Sequence, residues 1–173
     1  DGGDMENEIK LYESFEDMEL NENLLRGIYA MGYEKPSSIQ QKAIKPFLEG
    51  GDLIAQSQSG TGKTATFAIS VLNSIDADKG TQAIIVAHTR ELALQIHSVT
   101  TSLNQYLKHS ILLLTGGTSV NQNIDDLRRS PHLLIGTPGR LLDMLNKRKI
   151  NLRHMRFVVV DEADELFSSG FIN

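Results

Sequence analysis

The chain has 173 residues, of which 40% are hydrophobic and 23% charged, with a net charge of −5 and no cysteine. This is the composition of a globular domain with a sizeable core, and it excludes disulfides and thiolate metal sites. The acidic balance argues against a broad basic surface for nucleic acid but not against local grips on a few phosphates, and with no membrane-length apolar stretch or secretory signal the expected compartment is cytosol or nucleus.

Residues 1–14 are acidic and polar and read as a mobile arm. From Asn21, the spacing of Leu24, Leu25, Ile28 and Met31 predicts a helix closed by Gly32. A second helix follows Pro36, with Ser37 or Ser38 as N-cap and Ile39, Ala43 and Phe47 on one face. Pro46 is expected to weaken or end it, and Gly50-Gly51 to turn the chain into a strand over Asp52–Ala55.

Between that strand and an amphipathic run, Ala65–Leu72, lies Ser57-Gln58-Ser59-Gly60-Thr61-Gly62-Lys63-Thr64. Strand, glycine-spaced loop and helix are the context in which Gly-Lys-Thr binds nucleotide phosphates. Backbone N–H groups of Ser59, Gly60, Thr61 and Gly62 would form the cradle, assisted by the helix dipole. Lys63 can then reach the β- and γ-phosphates, and the Thr64 hydroxyl can ligate Mg²⁺. Ser57 stands where the strict pattern has glycine.

Beyond a polar turn at Asp76–Gly80, Ala83–Ala87 reads as a strand and Glu91–Tyr106 as a helix, with Leu92, Ile96, Val99 and Leu103 in one stripe. Ile111–Leu114 is a strand, Ser119–Arg129 a helix and His132–Gly136 a further strand. Thr137-Pro138-Gly139 leads to a helix over Leu141–Lys147, and Phe157–Val160 is the last strand. Continuous apolar strands alternating with helices predict an α/β domain, a parallel sheet with helices on both faces. Right-handed crossovers then bring Ser57–Thr64, His88–Arg90, Gly116–Gly117, Thr137–Arg140 and Asp161–Asp164 to one sheet edge. There Asp161 can hold Mg²⁺, directly or through water, and Glu162 can orient an attacking water.

Asp161-Glu162-Ala163-Asp164 resembles the name-giving motif of the DEAD-box RNA helicases. Gly32–Gln40 is similar to that family's Q motif, with Phe15 as its upstream aromatic. Thr89-Arg90-Glu91-Leu92-Ala93 resembles motif Ia, Gly116-Gly117 the GG motif and Thr137-Pro138-Gly139-Arg140 motif Ib. The likeness runs from about Phe15 to the C-terminus. Phe15–Met18, Leu24–Tyr29, Ala65–Ser70 and Asp143–Asn146 look most like the translation-initiation branch, with the exon-junction branch as nearest competitor.

The resemblance implies a first RecA-like P-loop domain over residues 15–173, ATP and Mg²⁺ as ligands, and an RNA-stimulated ATPase that unwinds mRNA structure in translation initiation. Gln40 would read the adenine edge, with Tyr33 and Lys35 packed around the base; Tyr33 reads equally as an aromatic closing a helix corner. Catalysis would fall to Lys63, Asp161 and Glu162, and Asp164 would pass the nucleotide state to a Ser-Ala-Thr segment. Thr89, Arg90, Gly116, Gly117, Thr137, Gly139 and Arg140 would touch the sugar-phosphate backbone of RNA without reading its sequence. Arg128-Arg129 and Lys147-Arg148-Lys149 read as solvated helix ends or as an RNA rim, and His88 stands where the family usually has proline.

Implied partners are RNA, a second RecA-like domain and initiation-complex proteins, with no membrane; the implied compartment is cytoplasmic, or nuclear for the exon-junction branch. No Ser-Ala-Thr segment occurs in these residues, so the chain by itself is expected to bind ATP weakly and to turn over negligibly. The rival reading is an RNA clamp that holds ATP and RNA shut without turnover.

Overall fold

The computed structural model describes residues 12–48 and 61–161. Four strands, β1 (Ala83–Val86), β2 (Ile111–Leu114), β3 (Leu133–Gly136) and β4 (Phe157–Val160), form a sheet in the order β2-β3-β1-β4. Every pairing is parallel, and the register aligns Leu114, Gly136, Val86 and Val160 at one end. The expected strand over Asp52–Ala55 lies outside the described residues. Six helices accompany the strands: α1 (Glu22–Ala30), α2 (Ser38–Leu48), α3 (Thr61–Ser74), α4 (Arg90–Leu103), α5 (Val120–Leu127) and α6 (Pro138–Asn146).

The strands are apolar runs and both faces of the sheet carry packed helices, with Val158 of β4 left 61% exposed. Ala83, Ile85, Leu133, Ile135 and Val159 share one core with residues of α1, α3 and α4. Ile84, Val86 and Leu134 point the other way and pack with Leu127 of α5 and Leu141 and Met144 of α6. Each such side chain contributes roughly 1.5–3 kcal/mol by leaving water.

Helix α3 runs through the first core with Ala65, Phe67, Ala68, Ile69, Val71 and Leu72 all buried. Its hydroxyls therefore find partners inside the helix. Thr66 Oγ1 donates to the Gly62 carbonyl (2.8 Å), Ser70 Oγ to Thr66 (2.8 Å) and Ser74 Oγ to Ser70 (2.9 Å). The helix begins at Thr61, ahead of the apolar run that announces it, so Gly62, Lys63 and Thr64 occupy its first turn. Helix α6 likewise starts earlier than expected, with Pro138 at its first position, where a missing N–H costs nothing.

Helix α2 departs from expectation in two ways. It continues past Pro46 to Leu48. The proline falls in the last turn, where it forfeits a single bond to the Lys42 carbonyl before the helix ends anyway. Among its described side chains Gln40 and Ile44 are buried, while Ile39, from the face expected to be inward, is 38% exposed. Glutamine is tolerated in the interior because both ends of its amide find backbone partners, the Ser37 N–H and the Gly62 carbonyl.

Helix α1 is capped by Asn21, whose side chain accepts from Asn23 N–H (2.8 Å) while its own N–H donates to Asn73 Oδ1 on α3 (2.7 Å). Gly32, at φ 89°, follows it as the sequence suggests. Upstream, Phe15, Met18 and Leu20 are buried, and so is Tyr12, within the segment expected to be a mobile arm. Of the segment expected to be an arm, residues 12–14 are described, and there the Tyr12 ring joins the core while residues 1–11 lie outside the described residues.

Gly27 sets how closely α1 approaches the end of α4: a Cβ there would fall on the Leu103 carbonyl. Gly27→Ala should therefore destabilise the fold by roughly 1–3 kcal/mol, read from urea unfolding. Gly139→Ala, where nothing lies within 4 Å of the added Cβ, should leave the midpoint unchanged or raised.

Candidate functional site

The parallel ladder continues one residue beyond the strands. Ala87 N–H donates to the Gly136 carbonyl (2.9 Å), Thr137 to Leu114 (3.0 Å) and Asp161 to Val86 (3.0 Å). Thr137, Ala87 and Asp161 therefore stand side by side along the C-terminal edge of the sheet. Among the expected site residues, Ser59, Gly60, Glu162 and Asp164 lie outside the described residues.

Lys63 and Asp161 meet at this edge. Lys63 Nζ lies 3.3 Å from Asp161 Oδ1, with the two side chains 5% and 2% exposed. An ammonium so far from water persists only with an anion beside it, and a carboxylate only with a cation. The contact joins the first turn of α3 to the end of β4. Thr64, next in the turn, is also buried.

A carboxylate and a hydroxyl are hard oxygen donors. Among the described residues no group of three or more His, Cys, Asp or Glu could hold a metal. The donor set thus fits a cation that draws most of its ligands from phosphates and water, as Mg²⁺ does.

Gln40 ties α2 to the same turn. Its Oε1 accepts from Ser37 N–H (2.8 Å), and its Nε2 donates to the Gly62 carbonyl (3.3 Å). Ser37 Oγ in turn accepts from Gln40 N–H at 3.4 Å. Flipping the amide would set Nε2 against the Ser37 N–H and Oε1 against the Gly62 carbonyl, so its orientation is fixed. Tyr33 is half-buried against the α1 core, and burial raises its phenol above the ordinary tyrosine range. Lys35 is exposed.

Farther along the edge, three helices begin: α4, α5 and α6. Thr89 caps α4, its Oγ1 accepting from Leu92 N–H (3.1 Å), and Ser119 caps α5 through Gln122 N–H (3.2 Å). Thr137 precedes α6 with no side-chain cap bond. The first N–H groups of α6 and the open space at Gly139 are therefore presented to an anion. Gly117 has φ 81°, and Arg90 Nη1 lies 2.8 Å from where its Cβ would be, so motif Ia and the GG turn are in contact.

The Arg140 guanidinium reaches back across this region. Nη1 donates to Asn123 Oδ1 (2.6 Å) and Thr118 Oγ1 (3.2 Å), and Nη2 to the Thr118 carbonyl (3.0 Å). Thr118 Oγ1 itself donates to the Thr115 carbonyl (2.7 Å). Thr118 and Asn123 are absent from the sequence reading, and no sequence signal marks them; in the structure Asn123 is buried within the polar-looking helix α5.

Comparison with known proteins follows the same lines. The family model described as DEAD/DEAH box helicase matches residues 37–173. A Caenorhabditis elegans protein named eukaryotic initiation factor 4A is 52% identical over 163 residues, covering 94% of this chain and 40% of that protein. An Ajellomyces capsulatus protein named ATP-dependent RNA helicase FAL1 is 50% identical over 165 residues, covering 95% of this chain and 37% of its own length. The chain thus spans about two fifths of these relatives.

Among solved structures, a DEAD box protein from the hyperthermophile Methanococcus jannaschii superposes with TM-score 0.88 at 37% identity, covering 94% of this chain and 45% of that one. An S. cerevisiae Dbp5 variant bound to Gle1 and IP6 gives TM-score 0.79 at 34% identity, covering 91% and 40%.

The buried ion pair makes a direct stability prediction. Lys63→Ala removes the cation beside a buried carboxylate and should cost about 3–5 kcal/mol in denaturant unfolding. Replacing both partners, Lys63→Met with Asp161→Leu, should recover most of that loss.

Proposed function

This chain belongs to the DEAD/DEAH box helicase family, and from that premise we propose that it is the ATP-binding half of an RNA helicase that works in translation initiation. The observation that carries the reading is the Lys63–Asp161 contact, which sets a phosphate-seeking amine and a metal-seeking carboxylate 3.3 Å apart at the sheet edge. The likeness to an initiation factor and to an ATP-dependent RNA helicase supports it, and neither relative's name points to a clamp without turnover.

Gln40 supports adenine as the base. A side-chain amide offers two donor hydrogens and two acceptor lone pairs. Ser37 and Gly62 take one of each. One donor and one acceptor remain, the complement of the N7 and N6 groups of adenine. Guanine presents two acceptors there, and the amide cannot turn to suit it.

The first turn of α3 supplies backbone N–H groups and Lys63 to the phosphates. Asp161 and the Thr64 hydroxyl would hold Mg²⁺, which neutralises phosphate charge when bound. Glu162 is assigned the attacking water and Asp164 the relay to the second RecA-like half. RNA phosphates would sit on the uncapped start of α6 at Thr137 and Gly139, beside Gly116, Gly117, Thr89 and Arg90. Arg140 acts there as a positioning residue as much as a ligand, since two of its bonds hold Thr118 and another reaches Asn123 on α5. Work in the cytoplasm beside initiation-complex proteins completes the proposal; no described helix is long and apolar enough to cross a membrane.

Competition between nucleotides tests the base assignment. ATP should displace a labelled adenine nucleotide far better than GTP, and Gln40→Ala should erase the difference; equal affinities for the unaltered chain would refute the assignment. RNA-stimulated hydrolysis should require the second RecA-like half and be negligible for the 173-residue chain. Asn123→Ala, which removes the shortest of Arg140's three bonds and leaves the two to Thr118, should weaken RNA binding by roughly 3- to 10-fold while leaving ATP affinity unchanged.

A further inference from the structure

Residues 147–156 connect α6 to β4 and enter that strand at its N-terminal end, the sheet edge opposite Asp161. Arg156 and Phe157 N–H groups anchor the connection on the Gln82 carbonyl (2.8 and 3.1 Å), and buried Ile150 pins its middle. The segment reads Lys147-Arg148-Lys149-Ile150-Asn151-Leu152-Arg153-His154-Met155-Arg156: five Lys and Arg with no acid, in a chain of net charge −5. Lys147 pairs with Asp143 (3.2 Å), and Arg156 bonds the Ser74 carbonyl (3.2 Å) while lying over the Phe157 ring. Arg148, Lys149 and Arg153 are exposed, with no ion pair among the described residues. On the neighbouring turn Asp76 already faces Lys79, at 3.9 Å. Between Lys149 and Arg153 in sequence, Leu152 is 55% exposed.

We propose that Arg148, Lys149, Leu152 and Arg153 form a docking surface for an acidic protein segment that carries an apolar side chain. Three exposed cations within four positions of an uncovered leucine offer an acidic partner complementary charge together with an apolar contact. RNA would gain nothing from Leu152, and the segment holds no Tyr, Phe or Trp on which a base could stack. The surface also faces away from Thr137, Gly139 and Arg140, so it is separate from the edge assigned to RNA and does not depend on that assignment.

The backbone supplies a clean way to test it. Arg148 ends α6 at φ 55°, its N–H bonded to the Leu145 carbonyl (3.0 Å) and Lys149 N–H to the Met144 carbonyl (2.9 Å). That left-handed position suits glycine best. Glu19, Lys108 and Ser130 also have positive φ, so the conformation by itself marks nothing. It does mean that Arg148→Gly removes a charge while relieving the backbone.

The probe is a short labelled peptide of repeating Asp-Glu-Leu, followed by fluorescence anisotropy against the 173-residue chain at several salt concentrations. The peptide should bind, more weakly as salt rises. Arg148→Gly with Arg153→Ser should weaken it roughly tenfold with no fall in thermal midpoint. Leu152→Ser should weaken it with the same salt slope, and oligouridylate should not displace it. Absence of binding, or equal affinity in the double variant, overturns the proposal. So does an oligouridylate complex that displaces the peptide and is itself lost in the double variant, which would make the surface a nucleic-acid site.

Discussion

A lysine withdrawn from water must keep an anion beside it, and in this fold that requirement fixes the first turn of α3 to the end of β4. Lys63 and Asp161 are distant in sequence and both buried, so each needs an opposite charge beside it. On the proposed reading the same requirement governs ligand entry. A nucleotide phosphate offers Lys63 a second anion, and a metal ion offers Asp161 a second cation, so each can trade its partner without being carried into water. The site is therefore poised to exchange one set of charges for another rather than to open onto water.

The rest of the architecture serves that edge. Parallel pairing in a single register puts the residues after β1, β2, β3 and β4 in one row. Burial of both sheet faces holds the row rigid, and the internal hydroxyl bonds of α3 let a helix with Thr66 and Ser70 sit in the core. Gln40 then couples α2 to the Gly62 carbonyl, so the proposed base-reading element and the phosphate-binding turn share one hydrogen bond. At the other end of the row, Arg140 does comparable work for the Gly117–Thr118 turn.

Much of this was legible in the residues. Apolar runs such as Ala83–Val86 and Leu133–Gly136 name buried parallel strands, and the stripe through Leu92, Ile96 and Leu103 names α4. Legibility failed where a tertiary partner decided the outcome. Hydrophobic pattern turned Ile39 inward on α2, whereas backbone partners at Ser37 and Gly62 let Gln40 take the buried position. Tyr12 sits in a polar stretch and found a core that local composition does not reveal. Thr118 and Asn123 belong to no motif, and only the crossing of α5 and α6 makes them partners of Arg140. The run Lys147-Arg148-Lys149 was visible as charge, but chain direction through the sheet was needed to set it on the edge away from the motifs. The phosphate loop before Thr61 and the carboxylates after Asp161 lie outside the described residues, so their roles rest on sequence.

The most direct measurement is a crystal structure of the chain with ATP and Mg²⁺, read for one distance. The account predicts that Lys63 Nζ has moved onto the phosphates and lies beyond ion-pair range of Asp161, with Gln40 still bonded to Ser37 and Gly62. A bound nucleotide with Lys63 and Asp161 still in their 3.3 Å contact would contradict it.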